Sequence, residues 1–194
     1  MTAHPYSVNL RERQTAYFWL ALIAWGVSLL MGRFFEIISW TPPVWLDVPG
    51  VLAIFGLLCS WFEKQLWRLA PIRALGISTP MIAGRWSGAA RSSYDDYVEG
   101  HRITATIHQT WTTISICVES QHSRSRSSAA AISIGIENSI IYCFENQPKV
   151  GAPDTMHSHG GTTALRIGPD KLEGEYYSGR DRQNMGTMTL ERVK

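Results

Sequence analysis

Two charge-free apolar runs near the N-terminus limit what this chain can become. From Gln14 to Gly32, 19 residues pass without a charge, around the core Phe18-Trp19-Leu20-Ala21-Leu22-Ile23-Ala24-Trp25. At about 1.5 Å of rise per residue a helix of that length covers roughly 28 Å, close to the roughly 30 Å hydrocarbon core of a bilayer. The second run, Val48 to Phe62, has 15 residues. It is long enough to cross only if extended back over Trp45 and Leu46, with Asp47 at the interface. Pro42-Pro43 stops the first helix and forces an extended turn. The pair predicts a transmembrane helical hairpin, with helices over about 14–32 and 45–62; a soluble helical hairpin is the competing reading.

Whole-chain averages conceal this. Hydrophobic residues make up 45% of the chain and mean hydropathy is -0.07, because a membrane third is diluted by a polar remainder. The domain reading is a two-helix transmembrane region over 1–75 and a second domain over 78–194, large enough for one compact core. A formal charge of +2 argues against bulk DNA or RNA binding. Cys59, Cys117 and Cys143 form no disulfide framework, and the last two fall in strand-like runs, where a thiol acts as a small apolar residue. A cleaved signal peptide is disfavoured: the run is long, and Arg33-Phe34-Phe35-Glu36 follows instead of a small-residue cleavage site.

Flanking charge gives an orientation. Arg11 and Arg13 precede the first apolar run, and Lys64, Arg68 and Arg73 follow the second. The connector from Arg33 to Asp47 has Arg33 as its single basic residue. Basic flanks stay in the cytoplasm, so both termini and the C-terminal domain are expected there, on a multi-pass membrane protein. Trp40, Trp45, Trp61 and Trp67 stand at interfacial positions.

Beyond Gly76–Pro80 the pattern changes to period two. Ile82–Ser92, His101–Gln109, Thr112–Gln121, Ser127–Glu137, Asn138–Asn146, Thr162–Ile167, Lys171–Ser178 and Met185–Val193 read as strands separated by turn residues such as Gly168-Pro169-Asp170. Eight short meandering strands point to an all-β, eight-stranded up-and-down (lipocalin-like) barrel, because closure removes sheet edges. A two-sheet sandwich is the alternative. A barrel of eight strands has room for one small ligand.

Alternation sets which side chains face inward. With Ile103, Ala105 and Ile107 go Gln109 and Trp111; with Ile140 and Phe144 goes Tyr142; with Leu172 go Gly174 and Tyr176. His122-Ser123-Arg124-Ser125-Arg126-Ser127-Ser128 adds hydroxyls and guanidinium groups, and Arg180 and Arg182 follow the seventh strand. This inward set suits an anionic aromatic ligand: arginine forks pair with phosphate, and rings stack on bases. A barrel filled by its own side chains, with the Ser/Arg run a solvated loop, stays open as the simpler alternative. Catalytic constellations are weak. His157-Ser158-His159 offers two metal ligands without a convincing third, so no metal site is assigned. Asp95-Asp96 reads as a solvated turn. No nucleophile elbow, phosphate-binding loop or dinucleotide fingerprint occurs.

An ordered set of short motifs runs along the chain. After the two apolar runs come Gly84-Arg85-Trp86-Ser87-Gly88, Gln109-Thr110-Trp111, the alternating Ser123, Ser125 and Ser127, Tyr142, and His159-Gly160-Gly161-Thr162. Leu172-Glu173-Gly174-Glu175-Tyr176-Tyr177 follows, with Arg180, Arg182 and Gly186. This resembles the two-transmembrane β-barrel effectors of bacterial cyclic-oligonucleotide anti-phage signalling systems (CBASS). The resemblance covers nearly the whole chain. It implies a non-enzymatic effector with no cofactor, whose cytoplasmic barrel binds a cyclic dinucleotide made by a partner synthase (a nucleotidyltransferase). Binding would then drive self-assembly in the inner membrane, disrupt the lipid bilayer and abort infection. The inward-facing argument places the ligand on Gln109, Trp111, Ser123, Ser125, Tyr142, Tyr176, Arg180 and Arg182. A membrane-anchored lipocalin-like barrel carrying a lipid is the alternative, and a membrane-bound hydrolase using His157 and His159 a third.

Overall fold

The computed structural model describes residues 3–9, 11–41, 43–153, 156–179 and 183–193, and of 44–49 only the backbone. The chain forms two compact units. One is Leu10–Ser78; the other joins Met1–Asn9 to Thr79–Lys194.

In the helical unit, α1 (Glu12–Ile37) and α2 (Val44–Lys64) pack on each other. A 3-10 turn at Leu66–Arg68 and the short α3 (Ala70–Arg73) follow. Helix α1 outruns the charge-free stretch because Arg33 and Glu36, one turn apart, pair at 2.9 Å. Of its side chains Leu20 and Ala24 are buried, while Phe18, Trp19, Trp25 and Leu30 are exposed. A soluble amphipathic helix would bury one apolar stripe and expose a polar one; α1 is apolar all round. Among the described residues it is the helix long and apolar enough to cross a membrane.

The second unit is a closed all-β barrel of nine strands, where the alternation pattern predicts eight. The first, β1 (His4–Val8), comes from the N-terminus. The other eight are β2 (Gly84–Ser92), β3 (His101–Gln109), β4 (Thr113–Glu119), β5 (Ser123–Ser133), β6 (Ser139–Pro148), β7 (His159–Ile167), β8 (Lys171–Ser178) and β9 (Met185–Arg192). These eight run up and down, each antiparallel to the next, and β9 closes on β2. Strands β4 and β5 pair only from Cys117–Arg126 to Glu119–Arg124 and then part. Strand β1 fills the gap, antiparallel to β4 at His4–Ile114 and parallel to β5 at Tyr6–Ala130 through Val8–Ile132. Its five residues, His-Pro-Tyr-Ser-Val, are too few to display a period, so the sequence pattern misses it.

The seam is hydrogen-bonded throughout. The Ser127 hydroxyl accepts from the Ile116 amide at 2.9 Å and bonds His4 Nε2 at 2.7 Å. Asn9 then extends the ladder with its side chain: Nδ2 donates to the Ile134 carbonyl and Oδ1 accepts from the Ile134 amide, both at 2.9 Å. The fourth expected strand, Ser127–Glu137, is thereby corrected to Ser123–Ser133. The Ser/Arg run is strand rather than loop, with a bulge between Ser127 and Ala129. A bulge inserts one unpaired residue, which hides the true period.

The core fills the barrel with Trp86, Ile103, Ala105, Ile107, Ile114, Ile116, Ile140, Leu165, Leu172 and Leu190. One end is shut. There the Gln109 side-chain carbonyl Oε1 accepts from the Ile82 amide at 2.9 Å, and its Nε2 donates to the Pro80 carbonyl at 3.1 Å. Trp86 Nε1 donates to the Ile82 carbonyl at 3.0 Å, and the Arg192 guanidinium lies 4.3 Å over the Trp86 ring. Arg192 also donates to the carbonyls of Ala83 and Met81 at 2.8 and 2.9 Å.

Candidate functional site

The other end opens into a cavity of about 480 Å³, within the usual range of roughly 300–1,000 Å³ for small-molecule pockets. Its walls come from the late residues of β2, β4, β6 and β8 and the early residues of β3, β5, β7 and β9. In an up-and-down barrel those positions share one rim.

Four of the eight residues chosen from the sequence meet there: Ser123, Ser125, Tyr142 and Tyr176. Gln109 and Trp111 do not. Both are buried as parity predicts, at 2% and 1% exposure, but β3 runs from the open rim towards the shut end, so its last inward residue and the turn beyond belong to the plug. Parity identifies the face of a strand and not the height along it. Arg180 and Arg182 lie outside the described residues. Arg124 and Arg126 alternate with the serines and are exposed on the outer face. Arg124 pairs with Glu119 at 2.6 Å. Among the described residues Arg102 is the guanidinium at the mouth.

Several lining residues were missed. Phe144 and Asn146 share the parity of Tyr142 on β6, one and two steps nearer the rim. His101, at the start of β3, becomes a rim residue once strand direction is followed. Its Nε2 bonds Asp95 at 2.9 Å, so the Asp95 carboxylate is hydrogen-bonded within the turn. With Glu99, these two bring ligand atoms within 4.8 Å of one another. His159, read as part of a weak metal pair, begins β7 and faces the cavity. Its Nδ1 donates to the His157 carbonyl at 2.9 Å, which in the neutral ring leaves Nε2 as an acceptor.

The aromatic walls are shaped by glycine. Phe144 pairs across β6–β7 with Gly161, and Tyr176 across β8–β9 with Gly186. A Cβ on Gly161 would run into Cζ and Cε1 of the Phe144 ring, and one on Gly186 into Cε1 and Cζ of Tyr176. Both rings therefore lie along the wall over a neighbouring glycine, a cross-strand device that fixes aromatic rings on a sheet. Tyr142 sits deeper, 3% exposed. Burial pushes its phenol up to about 12, against the opposing effect of a hydrogen bond with Thr163. It is a neutral group at any physiological pH. The site thus combines flat rings, neutral hydrogen-bonding groups and a mouth that carries Arg102 and Glu99.

Comparison with known proteins places this domain. Residues 77–192 match the family described as Cap15, cyclic dinucleotide receptor domain. The chain belongs to this Cap15 family. The matched residues contain β2 to β9 and every described residue of the cavity wall. Relatives include the CD-NTase-associated protein 15 of Yersinia aleksiciae, 34% identical over 143 residues, covering 71% of this chain and 66% of that protein. A second, the CD-NTase-associated protein 15 of Staphylococcus schleiferi, is 24% identical over 182 residues, covering 93% and 92%. The resemblance to CBASS effectors read from the motif order agrees with both.

Proposed function

We propose that this Cap15-family chain is a CBASS effector whose barrel binds a cyclic dinucleotide in the open-ended cavity. Binding drives self-association in the inner membrane and disrupts the bilayer. The observation that carries this reading is the cavity itself. Flat aromatic rings suit the faces of bases, neutral amides and hydroxyls suit their edges, and Arg102 at the mouth suits a phosphate.

Apolar side chains exposed around α1, and basic residues on the outer flanks of the hairpin, favour a membrane-embedded output with the barrel in the cytoplasm. A cytosolic messenger could then reach the cavity directly. The ligand can drive assembly only by binding the assembled form more tightly than the resting form. A shift from 1:99 to 99:1 needs roughly 10⁴-fold differential affinity.

The test uses the full chain, because β1 belongs to the barrel and a fragment beginning near Ser78 would lack it. Full-length protein in lipid nanodiscs is titrated calorimetrically with a panel of cyclic dinucleotides. The same protein in dye-loaded vesicles is assayed for leakage and cross-linked size. Saturable binding, larger species and leakage are expected together. A lipid retained in the cavity and no response to any cyclic dinucleotide would overturn the reading in favour of a lipid-binding barrel.

A further inference from the structure

Asn146 is nearly enclosed, at 5% exposure, yet lines the cavity. Its β5 register partner is Ser125, whose hydroxyl donates to Asn146 Oδ1 at 2.8 Å. The amide carbonyl is therefore engaged. Among the described residues no hydrogen bond takes the Nδ2 donors. An enclosed amide that lines a cavity, with its oxygen held, offers a fixed pair of N–H groups to whatever fills that cavity. A ligand that covers those donors without accepting from them forfeits their hydrogen bonds to water.

Phe144 lies two residues earlier on the same strand and the same face. Residues i and i+2 of a strand stand about 7 Å apart, close to the span of a nucleobase. A base stacked on the Phe144 ring, which is pinned over Gly161, would put its edge at Asn146.

Resting on the reading of the cavity as a cyclic dinucleotide site, we propose that Phe144 and Asn146 form a base-reading subsite selecting a base with a carbonyl edge. Free asparagine reads adenine by a two-point contact, its oxygen accepting from N6 and its nitrogen donating to N7. Here Ser125 takes one of the two lone pairs of the oxygen and holds it towards β5, so the amide meets the cavity with its N–H groups first. Those N–H groups match O4 of uracil or O6 of guanine, and meet adenine only at a ring nitrogen, without the amino-group contact that makes the adenine reading two-pointed. Ser125 is a positioning residue: it acts through the orientation of Asn146. The stacking contact carries affinity without preference, since every base has a π-face; the amide carries the preference.

The experiment measures dissociation constants of the full-length protein for cyclic di-UMP, cyclic di-GMP and cyclic di-AMP. Wild type should bind cyclic di-UMP or cyclic di-GMP at least about tenfold more tightly than cyclic di-AMP, because the amide donors meet a carbonyl oxygen in the first two and none in the third. Asn146→Ala should collapse that ratio to within about threefold, and Asn146→Asp, which only accepts, should tilt it towards adenine. Ser125→Ala frees Oδ1 and should narrow the ratio. Phe144→Leu should weaken all three ligands by a similar factor and keep the ratio. Melting curves identify any variant that fails to fold, and Ser125→Ala, the mildest change, keeps the test decisive. If Asn146→Ala and Ser125→Ala leave the ratio unchanged, the base-reading role is overturned while the cavity remains the receptor site. If wild type binds none of the three, the functional reading fails with it.

Discussion

The Tyr6 hydroxyl and the Gln109 side-chain amide meet at 3.3 Å across 103 positions of sequence. Tyr6 donates onward to the Trp111 carbonyl at 3.0 Å, and Gln109 holds the strap from Pro80 to Ile82. The shut end of the barrel is thus tied together by a residue that precedes the helical unit in sequence.

Removing that hydroxyl tests the tie. Tyr6→Phe keeps the ring and leaves the Gln109 amide short of one acceptor, so it should cost about 1–3 kcal/mol. Tyr6→Ala also empties a fully buried aromatic site and should cost about 3–5 kcal/mol. Urea unfolding of the full-length protein in detergent, followed by the fluorescence of Trp86 and Trp111, reads both. Equal stability of Tyr6→Ala and wild type would mean that β1 does not belong to the folded barrel.

Gly88 tests how the barrel curves. It sits in β2 opposite Leu190 of β9 and Ile103 of β3, and a Cβ there would collide with the backbone carbonyl of Thr189 and crowd Leu190 Cα at 2.9 Å. Backbone cannot step aside as a flexible side chain would. Gly88→Ala should therefore destabilise by about 3 kcal/mol, at the upper end of ordinary overpacking. Gly56→Ala in α2, where nothing lies within 4 Å, should gain helix propensity and lose nothing in packing. Thermal melts of the two variants should move in opposite directions.

The barrel was legible because its strands keep a strict period wherever one face is buried, as Ile103–Ala105–Ile107 and Ile140–Tyr142–Phe144 show. Strand β1 was illegible because five residues with a proline carry no period, and its partners are distant in sequence. Within the site, parity found Tyr142 and Tyr176 but could not separate Gln109 from them, since height along a strand depends on direction. Asn146 carries the same parity as Tyr142 on β6, a signal the inward set did not include. Its hydrogen bond to Ser125, which gives it meaning, is a cross-strand fact of register. The serines were chosen for their hydroxyls; that alternation turns Arg124 and Arg126 outward became visible only once the run was a strand.

The buried phenol of Tyr142 gives a pH signature. An ordinary tyrosine ionises near 10.0, and this one is pushed up to about 12. The folded state therefore favours the neutral form. Its contribution is fully present below pH 10 and is lost as pH rises through about 12, a difference of order 2–3 kcal/mol. Absorbance at the phenolate band should show one tyrosine titrating late, together with loss of the fold, and Tyr142→Phe should flatten stability over that interval. At the acid end Glu119 behaves in the opposite sense. Burial works against its charge, but the hydrogen bond and charge of Arg124, with Lys149, outweigh it and hold the carboxyl below the usual value. Its small surface contribution is present above the ordinary carboxylate range and fades as pH falls through the lowered value.

The last prediction concerns the hairpin. Its connector holds Arg33, but Glu36 pairs with it at 2.9 Å, which leaves that side without unpaired basic charge among the described residues, against Arg11 and Arg13 before α1 and Lys64, Arg68 and Arg73 after the α2 core. Retention of basic flanks predicts that the connector crosses and the barrel does not. Cysteine chemistry reads this without a fusion partner. Cys143 is exposed on the outer face of β6, and Cys117 is buried, where burial raises its thiol pKa and lowers its reactivity. In a Cys59→Ser background carrying Thr41→Cys, a membrane-impermeant maleimide added to intact right-side-out membranes should label position 41. Cys143 should react only after permeabilisation. Adding two basic residues to the connector, at Glu36→Lys and Trp40→Arg, removes the charge asymmetry and the Arg33 pairing together. It should yield a population with Cys143 accessible from outside. Labelling of Cys143 in intact membranes of the unmodified hairpin would place the barrel on the far side and remove the route by which a cytosolic messenger reaches the cavity.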